Sequence, residues 1–573
     1  MEVVFSPQTN PFHNALEAIS SLRSGEGSTL SGLFGSSKAF FIASFFQRIK
    51  KSLLVVTPTQ EDAEGFEKDL AFFLGEDNVL LYPSWEVLPF EAQSPHPDIE
   101  AKRIEVLYKL LKGQPLVVVT TPPALMQRVI PRDVLESSVE YLEAGKIVNR
   151  DWLIEGLLNK GYARMALVEE RGEISVRGGI LDIFPPIYPS PIRLEFFGDE
   201  IDSIRFFVPV TQRSKGEILP PFAKGGEGGI TILPAREMSF DEERRESALE
   251  GLKVRADELY LPNTTIEDLS ERIMGRLVFS GMEFLLPLFY PSFDTIFEYL
   301  PQDAILFIDE PSRMEEEVDR FGLEIQEMTT RLKARRQFFV RPEDLYLSNE
   351  GFLSHLKTLG GVSLYSLEIP ETLQIPTKSN LDIRQDIAMR KEELLKPLVD
   401  RVKDWSATGW RIFFVTHTVG QAERLRELLE GYCLPLAIRP GKVDTTLWFT
   451  PSPGPTTPQI ILGELTAGFR IPSMNLVIIT EEDIFGEKVK RRPPTPRKEE
   501  AFLTRLRDLD VGDLVVHNEH GIGVYQGLKK LQIEGIENDF LFLEYQGGDR
   551  LYLPVHRLNL VSKYAGVEGR HLS

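Results

Sequence analysis

Gly32-Leu33-Phe34-Gly35-Ser36-Ser37-Lys38-Ala39 runs straight into the apolar segment Phe40-Phe41-Ile42-Ala43-Ser44-Phe45-Phe46, the order in which a phosphate-binding loop enters its helix. A working loop reads G-x-x-x-x-G-K-[ST]. The glycine before the lysine lets the backbone cradle phosphates, the lysine meets the β/γ charge, and the hydroxyl holds magnesium. Here Ser37 replaces that glycine and Ala39 replaces the hydroxyl. Alanine cannot ligate a metal, so ATP hydrolysis is not expected. Lys38, at a helix N-terminus, remains able to pair with a carboxylate or an anion. No intact version of the motif occurs elsewhere in the 573 residues.

Around this loop the pattern is α/β. Strand-like runs Leu53–Val56, Val79–Tyr82 and Leu116–Val119 alternate with helix-like stretches such as Glu61–Leu74, which predicts a parallel sheet over residues 1–125. Residues 126–214 change to short strands and turns, with the hairpin turn Gly198-Asp199-Glu200 between Ile192–Phe197 and Ile201–Phe207, and read as an inserted α+β domain. The glycine-rich stretch Pro220–Gly229 reads as a surface linker. The α/β pattern resumes over 215–340 and includes Ile305-Leu306-Phe307-Ile308-Asp309-Glu310. Asp309 and Glu310 stand where a helicase-type ATPase places its magnesium-binding acids, although Pro311 also suits a plain strand-end turn. Gly32, Gly35, Lys38, Asp309 and Glu310 thus form a candidate degenerate nucleotide site. A second small α/β domain is predicted over 341–487, with strand Gly409–Val415 and helix Val419–Glu430. A proline-bearing linker over 488–505 and an all-β module over 506–573 complete an α/β multidomain chain.

Composition limits what such a chain does. At 42% apolar and 26% charged residues it reads as globular rather than disordered. Its longest apolar runs fall far short of the roughly 20 residues that span a bilayer, and no secretion signal stands at the N-terminus. A single cysteine, Cys433, excludes an internal disulfide framework and suits a reducing cytoplasm, the expected location. The net charge of -21 disfavours a broad grip on phosphates and favours protein partners. His517 and His520 lack a third ligand and the H-E-x-x-H order, so no metal is expected. No nucleophile–base pair stands out.

Several longer stretches are familiar. Gly161-Tyr162, Gly179-Ile180-Leu181-Asp182-Ile183-Phe184-Pro185, Phe196-Phe197-Gly198-Asp199-Glu200-Ile201-Asp202-Ser203-Ile204-Arg205 and Thr211-Gln212-Arg213-Ser214 resemble the UvrA-binding domain shared by UvrB and the bacterial transcription-repair coupling factors. UvrB itself carries an intact phosphate loop and a tyrosine-rich hairpin. Here the matching region reads Tyr82-Pro83-Ser84-Trp85-Glu86-Val87-Leu88-Pro89-Phe90 and Ser94-Pro95-His96-Pro97-Asp98-Ile99, similar to the coupling factors instead. Glu283–Tyr290, Thr480–Gly486 and the terminal module also resemble that family. That module runs through Val511–His517, Glu519–Gly523, Phe540–Tyr545 and Leu551–Val555, and resembles a CarD-type, Tudor/SH3-like β-barrel that binds RNA polymerase.

The resemblance implies a non-catalytic adaptor. UvrA would bind through Arg164, Arg177, Phe184, Arg193 and Arg205, and the polymerase β subunit through Phe540, Leu541, Phe542, Leu543 and Tyr552. Arginine forks suit a partner's carboxylates, while each arginine also has a local acid such as Glu173 or Glu195 to pair with. Phe184 serves as an apolar anchor or as core. In the terminal module, Leu541 and Leu543 point opposite to Phe540 and Phe542, and one face must fill the core. No cofactor is implied for this region. ATP, magnesium and DNA belong to the translocase motor of the full-length family. The enzyme alternative is an ATP-dependent UvrB-like damage-recognition subunit; the other is a CarD-like transcription regulator with a large extension.

Overall fold

A computed structural model describes residues 10–22, 25–91, 93–209, 211–217, 229–262, 264–389, 395–439, 456–486, 512–517, 521–533, 536–545, 550–554 and 561–563. They fall into two compact units, Met1–Lys488 and Val489–Ser573. The glycine-rich linker up to Gly228, the proline-bearing linker and His520 lie outside the described residues.

The main sheet has the order Leu373–Gln374, Gly27–Ser31, Gly361–Tyr365, Ile305–Asp309, Leu53–Val56, Val117–Thr120, Val79–Tyr82, with every pairing parallel. Its strands Leu53–Val56 and Val117–Thr120 are buried on both faces because both faces are covered. Leu53 and Val55 enter one core, while Leu54 and Val56 enter another. Gly361–Tyr365 and Leu373–Gln374 lie beyond the expected boundary at 340 but complete this sheet. The strand Gly361–Tyr365 fills the gap between Gly27–Ser31 and Ile305–Asp309, an adjacency that chain order does not reveal.

The helix Ser37–Ile49 explains its own composition. Residues 37–46 are all buried because the helix is sandwiched. Phe45 meets Phe307 of the main sheet at 5.5 Å, Phe41 meets Phe12 of the helix Pro11–Ser20 at 5.3 Å, and Phe40 meets Phe469 of a second sheet at 5.7 Å. A helix with one solvated face would carry a narrower apolar stripe. Its end at Lys50 is left-handed, and the Lys50 amide closes on the Phe46 carbonyl.

That second sheet has the order Lys378–Ser379, Phe469–Ile471, Leu476–Thr480, Arg411–Thr416, Gln459–Leu462, Ala437–Arg439, parallel over its last four strands. The inserted sheet runs Ser214–Glu217, Glu200–Phe207, Ile192–Phe197, Ile180–Ile183, Glu173–Arg177, Ala163–Arg164 and is antiparallel except for its final pair. Its core gathers Ile174, Leu181, Ile192, Leu194 and Ile201, together with Leu142 from the strand Glu140–Glu143 and Ile230 from the strand Gly229–Ile232. The packed domain therefore extends past residue 214, since Gly229–Ile232 returns to pair with Glu140–Glu143.

The second unit is an antiparallel sheet in the order Arg550–Pro554, Ile536–Glu544, Gly521–Ile533, Leu514–His517, Val561–Lys563. Val515, Tyr525, Leu541, Leu543 and Leu553 form its core.

Candidate functional site

Gly32 (φ +82) and Gly35 (φ +55) turn the chain from the strand Gly27–Ser31 into the buried helix, using the left-handed region open to glycine. The loop between them is held by side chains. Thr377 Oγ1 accepts from the Phe34 amide at 2.7 Å and donates to the Gly32 carbonyl at 2.7 Å. Ser36 Oγ accepts from the Ala467 amide at 3.0 Å. A Cβ on Gly35 would stand 3.1 Å from the Ala467 side chain, so the Thr466–Ala467 segment lies directly against the loop.

Lys38 projects from this loop to Asp309 and Glu310, at the carboxyl end of the strand Ile305–Asp309. Its Nζ donates to Asp309 and, at 2.8 Å, to Glu310 Oε1. Lys38 is 5% exposed and Asp309 4%, so this is a buried ion pair. Glu310 takes the left-handed backbone (φ 44) just before the helix Pro311–Ala334, and its Oε1 also accepts from the Ser366 amide and hydroxyl at 2.8 and 2.7 Å. Burial pushes the Asp309 carboxyl up against the pull of Lys38. At half-buried Glu310, burial also raises the value, but the bonds from Lys38 and Ser366 prevail and hold it below the ordinary range. The adjoining pocket adds Asp62, Asp69 and Arg313, so an arriving phosphate meets more negative than positive charge.

The inserted sheet brings two of the predicted arginines onto one carboxylate. Arg193 donates through Nε and Nη2 to Asp182 at 2.7 and 2.9 Å, and Arg177 Nη2 donates to Asp182 Oδ2 at 2.5 Å. Arg205 reaches Glu195 at 3.9 Å. Arg164 sits half-buried on the short strand Ala163–Arg164. Phe184 is buried with Val168 and Phe207, beneath the Arg171 guanidinium at 5.1 Å. Of the two local acids considered from sequence, Glu195 meets Arg205, and Glu173 accepts from the amides of Glu169 and Glu170. Sequence reading missed Asp182. Its signal was an acidic residue inside the apolar strand Ile180-Leu181-Asp182-Ile183, since aspartate is depleted from strands.

A second buried group was also missed. Arg236 Nη1 donates to Glu100 Oε2 at 2.6 Å and Glu283 Oε1 at 2.8 Å, while Ser94 donates to Glu283 Oε2 at 2.6 Å. Beside them Arg103, fully buried, donates to Glu237 Oε1 at 2.8 Å and stacks on Tyr82 at 4.6 Å. Arg236 follows the strand Gly229–Ile232, so this cluster seats the inserted domain on the helix Pro97–Leu111 and the short helix Met282–Leu288.

In the second unit, Leu541 and Leu543 are core residues. Phe542, on the opposite face, stacks on Tyr552 at 5.0 Å, with Lys529 Nζ 4.0 Å above the Phe542 ring. Phe540 is buried too. The strand Arg550–Pro554 ends the sheet and pairs only with Ile536–Glu544 among the described residues. Also among the described residues, no helix is long and apolar enough to cross a membrane, and no group of three or more His, Cys, Asp or Glu could hold a metal ion.

Residues 141–220 match the UvrB interaction domain, and residues 509–565 match the CarD-like/TRCF RID domain. The two matches enclose the four predicted arginines, Phe184 and both strands of the aromatic stack. Carried on an α/β body, they give the chain a region of UvrB homology and a CarD-like module. Three transcription-repair-coupling factors align along nearly its whole length. That of Myxococcus xanthus is 31% identical over 570 residues, covering 96% of this chain and 46% of the relative. Those of Bacillus subtilis and Escherichia coli are each 28% identical, covering 94% and 95% of this chain and 45% and 46% of their own lengths. The chain fits the N-terminal part of a transcription-repair-coupling factor and spans about half the length of the curated relatives it matches.

Proposed function

We propose that this chain is a non-catalytic adaptor region, in which the inserted domain recruits UvrA and the terminal module holds the β subunit of stalled RNA polymerase for transcription-coupled nucleotide-excision repair. The observation that carries this reading is the presence of two interaction-domain matches on one chain. Arg177 supports the UvrA side, since its side chain is 41% exposed on the matched domain and arginine is a frequent hot-spot residue. The edge strand Arg550–Pro554 supports the polymerase side, because an edge offers backbone groups for strand addition. We assign ATP, magnesium and the contact with DNA to the motor that the family carries beyond the matched half.

Capture of purified UvrA tests the first arm. The wild-type chain is expected to retain it, and Arg177→Glu to weaken it by about 30-fold or more, the loss of a hot-spot contact of at least about 2 kcal/mol. Wild-type binding to polymerase without binding to UvrA would favour the CarD-like regulator instead.

The loop from Gly32 to Lys38 supports an inert, degenerate nucleotide site. Its lysine is buried against two carboxylates, Thr466 and Ala467 pack on the loop, and Ala39 offers no metal ligand. Restoring the hydroxyl alone, with Ala39→Thr, is therefore expected to leave labelled-ATP binding at background in equilibrium dialysis with magnesium. Saturable binding by the wild type would instead revive the ATP-dependent UvrB-like alternative.

A further inference from the structure

Asp182 is fully buried, yet it lies between two arginines that a partner is expected to reach. It stands directly across from Arg193 in the antiparallel pairing of Ile180–Ile183 with Ile192–Phe197, and across from Ser175 on its other side. Arg177, two residues beyond Ser175, shares that face and reaches Asp182 along the diagonal. Arg193 spends two donors on Asp182, lies over the Phe207 ring at 4.7 Å, and keeps a side-chain exposure of only 12%. Arg177 gives Asp182 one donor and stays far more open. Two guanidiniums against one carboxylate leave the group with one net positive charge.

Gln212 completes the frame from the loop that follows the strand Glu200–Phe207. Its backbone is left-handed (φ 55), a conformation that side chains other than glycine, asparagine or aspartate rarely adopt. Every polar group of its side chain is engaged. Nε2 donates to the Val168 and Pro209 carbonyls at 3.3 and 2.7 Å, and Oε1 accepts from Arg177 at 3.4 Å. Its carbonyl accepts from Arg193 at 3.3 Å. Arg177 is thereby held from two sides, by a buried carboxylate and by a strained loop residue.

We propose that Asp182 and Gln212 are positioning residues that fix Arg177 in advance for a carboxylate on the partner protein, with Arg193 as the neutralised member that anchors Asp182. An arginine already ordered loses less side-chain entropy on binding and presents its planar fork in one orientation. The proposal deepens the UvrA-binding reading of the preceding section and rests on it.

The sign of one substitution separates this from the simpler view that Asp182 competes with the partner for arginine. Asp182→Asn raises the net charge of the group from +1 to +2. Simple competition then gives tighter binding of an acidic partner, whereas positioning gives weaker binding despite the added charge. With purified UvrA in a binding titration, Asp182→Asn is expected to weaken binding by about tenfold, and Gln212→Gly by about three- to tenfold. Glycine suits the left-handed backbone at 212, so that variant keeps its fold even where Asp182→Asn does not. In an Arg177→Ala background Gln212→Gly is expected to have no further effect, while a merely structural role would carry the same loss into both backgrounds. Equal or tighter binding by Asp182→Asn, or no change with Gln212→Gly, overturns the proposal while Arg177→Glu still weakens capture. No capture by the wild type overturns the underlying reading, and the proposal with it.

Discussion

Replacing Lys38 with methionine is expected to destabilise the α/β unit by about 3–5 kcal/mol, the cost of removing one member of a buried ion pair and stranding the other. Methionine fills most of the volume of the lysine stem, so the loss comes from charge rather than from a cavity. Asp309, buried at the end of the strand Ile305–Asp309 and across from Leu364, would lose the cation that counters its desolvation, and Glu310 would keep its bonds from Ser366. Chemical denaturation followed by far-UV circular dichroism measures the shift. Adding Asp309→Leu to Lys38→Met is expected to recover most of the loss, because an apolar pair of similar size removes the deeply buried charge, while half-buried Glu310 keeps its bonds from Ser366. A single variant within about 1 kcal/mol of the wild type would mean that Lys38 is solvated and the loop open.

How much of this was legible in the sequence depends on the distance over which residues meet. The buried helix could be read directly, because Phe40, Phe41, Phe45 and Phe46 leave no polar face. The parallel sheet followed from short apolar runs spaced by helices. The direct ion pair of Lys38 with Asp309 spans 271 positions and had to wait for the fold, although both residues had been grouped in one candidate nucleotide site. In the terminal module the two-residue period put Leu541 and Leu543 opposite Phe542, but only the packing of Val515, Tyr525 and Leu553 decides which face is inside. Asp182 was passed over because the arginines drew attention to nearby acids along the chain, while its register across two strands made it the shared partner. The cluster around Arg236 combines three separate segments, and Glu283 was hidden within an apolar run that reads as core.

That cluster carries the second large effect, which depends on pH. Arg103 and Arg236 face Glu100, Glu237 and Glu283 with no solvent to dilute the surplus negative charge. Burial, opposed by Arg236 and reinforced by Glu283 and Glu237, pushes the Glu100 carboxyl up to about 8 from an ordinary 4.5. Glu283 is raised as well, again mainly by burial. The folded chain therefore holds a proton that the unfolded chain releases. Its stabilising contribution is complete below about pH 4.5, declines as pH rises, and is gone above about pH 8. Within that window the slope approaches about 1.4 kcal/mol per pH unit. Glu100→Gln keeps a polar group facing Arg236 but needs no proton, so its stability relative to the wild type is expected to climb from pH 5.5 to pH 8 and then level off. Denaturation of both proteins across that range checks it, and parallel curves would show that the cluster titrates no differently when folded. Arg236→Met should act in the opposite sense at neutral pH, costing about 3–5 kcal/mol by removing the buried cation that Glu100 and Glu283 share. Because Arg236 lies where the inserted domain rejoins the body, that loss should loosen the seat of the inserted sheet.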